Sequence, residues 1–444
     1  MPSFCFPFYP AAFDKTGSLV DASQLAAVLS AVGRPSAPDG LTDLIVISHG
    51  WNDDMPEADA LYAKIFDRVA AVLPARNAVC DAVRARRVAI VGIYWPSKKF
   101  DDAALIPGGA AGLGADGGSA ALGDSIDRLS DALAAGDTSS IAAQSLARAK
   151  ALAASLGGSL DARDEFVRIV RAFMPHDAND EEPVIDADLY TLGGDELLHR
   201  LARPDRSAPG AADSGGAAGL GDWIGSAVQG AKNLVNLVTY YQMKARAGVV
   251  GQGGVRDMLQ RIRELRPASG PNALRLHLVG HSFGGRLVTA ATAGKPGDAP
   301  LPVDSLTLLQ AAFSHYGFAQ AYDGTHDGLF RSVVVDPMRV RGPVVITFTA
   351  KDRAVGLAYP IASRLGRQIA SALGDARDPY GGMGRNGAQK TPGAQVVTLG
   401  AVGTPYAFAG RGVYNLDSNA VIGGHTDLGH DEVGYALLST LAAS

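Results

Sequence analysis

The residues best suited to chemistry gather around one serine. Residues 274–291 read LRLHLVGHSFGGRLVTAA, an apolar run that ends in Gly280-His281-Ser282-Phe283-Gly284-Gly285 and then takes helical periodicity. In a chain with 54 glycines, a G-x-S-x-G spacing alone says little, so the flanking pattern has to carry the reading. A serine on a tight strand-to-helix turn exposes its hydroxyl at the carboxyl edge of a sheet. Glycines two residues to either side keep Cβ atoms out of the approach of strand and helix. The turn also aims the helix N-terminus, and the N–H of the next residue, at negative charge developing on a carbonyl oxygen. Ser282 is therefore a candidate nucleophile, and the Phe283 amide a candidate oxyanion donor. A second donor is expected after an earlier strand. LIVISHGWNDD supplies it at His49-Gly50, with the amide of Trp51 as the donor. His49 itself is read as a hydrogen bonder that shapes this loop.

A serine nucleophile needs a base, and the base needs an acid to orient it. For a nucleophile on such a turn the partners follow in the order serine, acid, histidine, which prunes the nine histidines. His49, His176, His199 and His277 precede Ser282, and His281 adjoins it. His315 and His326 precede the best acid, Asp352, which ends the run VVITFTAKD where a rigid strand opens into a loop. The stretch VIGGHTDLGHDEVGYALL offers two bases. His425 is favoured because it follows two glycines on a loop able to reach a cleft. His430, which abuts the C-terminal helix, is the alternative. Asp427 is expected to bond its local backbone.

These residues must be held by alternating strands and helices. Strands are expected at 43–50, 88–97, 274–280, 305–313, 343–352 and 394–403, apolar runs of which the first halts at His49-Gly50 and the second is closed by Pro96. Helical stripes occupy 57–73, 284–294, 354–374 and 431–444. The alternation predicts an α/β class with a doubly wound, mostly parallel sheet. Residues 98–270 interrupt it as a large, mainly helical, Gly/Ala-rich insertion before the nucleophile strand. They separate an N-terminal half of the core, 1–97, from a C-terminal half, 271–444. Inside the insertion, 139–156 and 160–174 read as surface helices. Residues 222–250 place Ile224, Val228, Ala231, Leu234, Val235, Val238 and Tyr241 at helical spacing. That helix is expected to pack on the core; the sharper reading has it cover an active-site cleft as a lid.

Composition bounds the partners. The net charge is −5 with no basic tract, which argues against nucleic acid. No run reaches the ~18 apolar residues of a membrane span. The N-terminal stretch MPSFCFPFYPAAFDK lacks a basic region followed by an apolar run, so a cytoplasmic location is expected, with leaderless export left open. Cys5 and Cys80 have no metal-ligand spacing and read as packing residues. FDKTGSLVD (13–21) lacks the acids of a calcium loop and reads as a turn. No metal and no organic cofactor is expected.

Together LIVISHGWNDD, VGIYWPS, LHLVGHSFGG, FTAKD and GGHTD resemble the α/β-hydrolase superfamily, specifically bacterial serine hydrolases of the HG-(Y/W)-N type. The resemblance covers residues 40–97 and 271–444. It implies Ser282, Asp352 and His425 as a catalytic triad and the amides of Trp51 and Phe283 as an oxyanion hole. It also implies an esterase- or lipase-like enzyme acting on a small-molecule or lipid-like ester. The chain departs from the family in the place of its insertion, since family lids more often follow the sixth strand. An amidase, peptidase or thioesterase would use the same residues. A non-catalytic homologue binding a ligand in the cleft, or a secreted or injected lipolytic toxin, are the remaining alternatives.

Overall fold

A computed structural model describes residues 4–34, 40–50, 55–97, 115–134, 140–175, 187–202, 220–355, 381–408 and 410–444. The strands are β1 (Phe8–Ala12), β2 (Asp43–Ser48), β3 (Val88–Tyr94), β4 (Arg275–His281), β5 (Ser305–Leu309), β6 (Val344–Phe348), β7 (Gln395–Thr398) and β8 (Val413–Asp417). They form one eight-stranded sheet in the order β1-β3-β2-β4-β5-β6-β8-β7. Every pairing is parallel. All strands therefore end on one edge, which gathers the loops that follow them.

The alternation of side chains explains the two layers of core. Leu44 and Val46 of β2, Ala89, Val91 and Ile93 of β3, and Leu306 and Leu308 of β5 bury on one face. Ile45 and Ile47, Val88 and Ile90, and Leu309 bury on the other. Both faces are covered, so the central strands are continuous apolar runs. The second face carries α2 (Met55–Val72), α3 (Ala78–Arg84) and the C-terminal helix Asp431–Ala442. The first carries α1 (Ala22–Val32) and the helices that lie between β3 and β4. These are α4 (Ala115–Ala134), α5 (Ser140–Leu152), α6 (Leu160–Arg171), α7 (Ala187–Thr191), α8 (Gly194–Ala202), α9 (Leu220–Val250) and α10 (Arg256–Leu265). After β4 comes α11 (Phe283–Ala293), then α12 (Arg331–Val335), α13 (Met383–Asn386) and α14 (Asp431–Ala442).

The α/β class and the parallel sheet are present, with differences from expectation that have physical causes. The strand set read from the sequence lacked β1 and β8. FYPAA is short and carries Pro10, which an edge strand tolerates because the missing N–H has no neighbour to serve. VYNLD is short, and the side chain of its Asn415 bonds the Ala388 backbone on both N–H and C=O. The run 305–313 leaves the sheet after Leu309. The helix expected over 354–374 lies outside the described residues from 356 on. The two helices read as surface elements bury one side each: Leu146, Ala149 and Leu152, and Phe166, Val167 and Val170, join the core. Cys80 is buried as a packing residue, whereas Cys5 is exposed. Residues 13–21 do form a turn, in which Asp14 Oδ1 accepts from the amides of Thr16 and Ser18.

The helix read from 222–250 is the 31-residue α9. Its Val228, Ala231, Leu234, Val235, Val238 and Tyr241 are buried as part of the core, while the side chain of Ile224 lies outside the described residues. No helix among the described residues is long and apolar enough to cross a membrane.

Candidate active site

At the carboxyl end of β4 the chain turns abruptly into α11. Ser282 holds φ 55° and ψ −126°, a left-handed conformation that a residue with a Cβ adopts only under tertiary constraint. The constraint is visible in the backbone. The Ser282 amide donates to Leu309 O at 3.1 Å, and the Ser282 carbonyl accepts from Ala312 N at 3.0 Å. The glycines allow the close approach this turn demands. A Cβ on Gly280 would stand 2.4 Å from Gly284 O, and one on Gly284 would stand 2.2 Å from Ser48 O. The spacing G-x-S-x-G is thus a packing requirement of β4, α11 and the end of β2.

The turn presents Ser282 to two loops from far along the chain. His425 Nε2 lies 2.9 Å from Ser282 Oγ, and His425 Nδ1 lies 2.8 Å from Asp352 Oδ2. Asp352 follows β6 and is fully buried; His425 follows β8, with 14% of its side chain exposed. The carboxylate is pinned on both oxygens. Oδ1 accepts from the Val355 amide at 3.0 Å, and Oδ2 accepts from Gln310 Nε2 at 3.2 Å besides His425. The loops are tied to one another as well. Thr349 Oγ1 donates to Ile422 O at 3.2 Å, and the Ala350 amide donates to Asn419 Oδ1 at 2.9 Å. With Asp352 on Nδ1, the Nδ1–H tautomer of His425 leaves Nε2 as the acceptor facing Ser282. Such an arrangement can take the hydroxyl proton and return it to a departing group.

The other candidates sit apart. His430 is the N-cap residue of α14 and pairs with Asp427 Oδ1 at 2.9 Å. Asp427 in turn accepts the Gly423 amide at 2.8 Å. That backbone bond, acting against burial and joined by His430, draws the Asp427 carboxyl below its usual range. The expected local bonding of Asp427 is thus what the loop uses. Trp51 lies outside the described residues, but its neighbours are seen. His49 is buried and stacked on Trp95 with ring centroids 5.7 Å apart. Its Nε2 accepts from the Trp95 amide at 3.2 Å, and its Nδ1 donates to Gly50 O at 2.9 Å. His49 therefore ties the described start of the loop after β2 to the residue that follows β3. Gly50 lies against Ser282, since a Cβ there would stand 2.5 Å from Ser282 Cβ and 3.1 Å from Ser282 Oγ. Phe283 is buried, with its ring 5.0 Å from that of Tyr240 on α9.

Two residues near the site carried no sequence signal beyond their position. His281, read there only as the neighbour of Ser282, donates Nε2–H to His425 O at 3.0 Å. Its ring lies 4.8 Å from that of His425. Gln310 looked like the interior of a strand.

A second chain of the same residue types shows that composition alone does not make a site. His277 Nδ1 lies 2.8 Å from Ser305 Oγ, and His277 Nε2 lies 3.0 Å from Asp43 Oδ1. These residues sit at the amino end of the sheet, fully buried, and Arg86 adds a 3.0 Å ion pair to Asp43. No substrate can reach them. Burial raises the Asp43 carboxyl, but the bond and charge of His277, with Thr42 and Arg86, outweigh it and hold it below its usual range. Among the described residues no group of His, Cys, Asp and Glu side chains is placed to hold a metal ion. Comparison of the chain with protein-family models, curated proteins and solved structures finds no match.

Proposed function

We propose that this chain is a serine hydrolase of the α/β-hydrolase type that cleaves a carboxylic ester through an acyl-enzyme. The observation that carries the reading is the hydrogen-bonded order Ser282–His425–Asp352 at the carboxyl edge of the sheet, with Ser282 on a left-handed turn. In this reading His425 Nε2 takes the Ser282 proton as Oγ attacks the ester carbonyl. The amides of Phe283 and Trp51 hold the oxyanion, and His425 passes the proton to the departing alcohol. Water, deprotonated by His425, then attacks the acyl carbonyl; the bond to Ser282 Oγ breaks, His425 returns the proton to Oγ, and the acid leaves. Asp352 keeps the imidazole in its Nδ1–H tautomer and stabilises the imidazolium. Ester chemistry is preferred because of the resemblance in GHSFGG and HGWN, and a hydrophobic acyl or alcohol part because apolar α9 packs on Phe283. In this scheme the described helices between β3 and β4 belong to an insertion that covers one side of the core.

The test is labelling by a fluorophosphonate followed by a panel of esters of increasing chain length. Wild type is expected to label, and Ser282→Ala to lose labelling and to drop turnover by roughly 10⁴-fold or more. His425→Ala should lose labelling too, while His430→Ala keeps it. An unlabelled wild type, or a Ser282→Ala variant that turns over normally, ends the proposal.

A further inference from the structure

We infer that Gln310 is a positioning residue for the Asp352 carboxylate, and through it for His425; the inference rests on the reading of Ser282, His425 and Asp352 as a catalytic unit. Gln310 is the first residue after β5, fully buried, with φ 46°. A side chain larger than glycine in that conformation is strained and persists only where its surroundings over-determine it. Here they do. The Gln310 amide donates to Thr347 Oγ1 at 3.1 Å, and Gly384 of α13 presses so close that a Cβ on it would stand 2.5 Å from the Gln310 carbonyl carbon. In this conformation the side chain reaches Asp352.

The orientation of its amide is dictated by its partners. Nε2 donates to Asp352 Oδ2 at 3.2 Å and to Gly384 O at 2.9 Å. Both partners are acceptors, so the reversed amide would set oxygen against oxygen twice. The Gln310 Oε1 is buried and accepts nothing among the described residues. What the donor side does is place a second N–H on the carboxylate oxygen that receives His425 Nδ1–H. This fixes the carboxylate plane and tempers the negative charge His425 experiences.

Few charged groups face this pair among the described residues. His425 lies on Oδ2, and His281 lies against the His425 ring. Arg385 of α13 donates to the Asp352 backbone carbonyl at 3.3 Å. Lys351 reaches away to Asn419 O at 2.8 Å, and Arg353 is exposed. Thr347, Thr349 and Gly384 are neutral. A charge introduced at position 310 would thus act mainly on Asp352 and His425.

The experiment compares Gln310→Met and Gln310→Glu with wild type across pH, in folded protein checked by thermal melting. Gln310→Met keeps length but has no donor, and kcat should fall about ten-fold on the high-pH plateau with KM unchanged, the loss growing as pH falls through the His425 midpoint. In Gln310→Glu the new carboxyl, while protonated, donates to Oδ2 as the amide does. Its kcat relative to wild type should be close to one at low pH and fall as that group ionises against Asp352. A role confined to packing predicts equal losses with no pH dependence, and that result overturns the inference. Ser282→Ala in the same assay reports separately on the catalytic reading. A readout free of turnover is the NMR titration of the ¹³C-labelled His425 imidazole. Its midpoint should move up by some tenths of a unit in Gln310→Met, and by about a unit in Gln310→Glu once the new group is ionised. An unmoved midpoint in both variants also overturns it.

Discussion

Ser282 and Ser305 are both serines with a histidine and an aspartate in line, and what separates them is where the strands begin and end. Ser305, His277 and Asp43 sit where β5, β4 and β2 enter the sheet, wholly out of solvent, and Arg86 binds Asp43 while also donating to the backbone carbonyl of Leu441 in α14 at 2.7 Å. Their chemistry is therefore structural, and it predicts a pH dependence of stability. The folded Asp43 carboxyl lies below its ordinary value near ~3.9. The unfolded chain thus takes up the proton first, so the stabilisation is fully present above that value and is lost as pH falls through the folded one. Asp43→Ala should destabilise by about 3 kcal/mol at neutral pH, because it leaves the fully buried His277 Nε2–H without its acceptor and the partly buried Arg86 guanidinium without its charge partner. Urea unfolding from pH 7 to pH 3 should show the gap to wild type narrowing below about pH 4.

At the scale of elements, the site is a meeting of β4, α11 and the loop after β2, held by atoms that nearly touch. Gly284→Ala places a methyl 2.2 Å from Ser48 O and 2.3 Å from His49 O. Backbone cannot give way cheaply, so the substitution should destabilise the fold by about 3 kcal/mol or more. Gly50→Ala meets side chains instead, Ser282 first and His281 Nδ1 at 3.2 Å. It should therefore depress fluorophosphonate labelling of Ser282 far more than it lowers the melting temperature. Labelling rates and thermal melts of the two variants check the contrast, and a Gly50→Ala protein that labels like wild type would contradict it.

At the scale of the molecule, the helices between β3 and β4 share one apolar layer with the sheet. Leu234, Val235 and Val238 of α9 belong to the same buried cluster as Leu278 of β4 and Leu287 of α11. Gly251, in the π-helical stretch Gly251–Val255 after α9, approaches α11 so closely that a Cβ would stand 2.2 Å from Leu287 O. Helices so joined to the core should not unfold ahead of it. Val238→Ala is expected to remove about 1–2 kcal/mol from the stability of the whole chain. Guanidinium unfolding followed by far-UV circular dichroism and by tryptophan fluorescence should then give one coincident transition for both proteins. Separate transitions would mean that the helical layer folds as its own unit.

Periodicity and punctuation made the central strands, the turn at Gly280–Gly285 and the C-terminal helix legible in the sequence, because burial on both faces writes itself as continuous apolar runs. The ordering of serine, acid and histidine narrowed the partners of Ser282 to Asp352 and to His425 or His430 for a similar reason: strand order restricts which loops share an edge. The tertiary structure decided the rest. Ser282 and His425 are 143 residues apart, and Gln310 and Asp352 are 42 apart. No local pattern encodes which of two histidines on one loop will span such a gap, or that a glutamine leaving a strand will turn back onto an aspartate. Cys5 and Cys80 read alike as packing residues, yet one lies exposed before the first strand and the other in the core. The local pattern of a sequence records how deep a segment lies; which distant side chain it meets there depends on how the strands are ordered and the layers stacked.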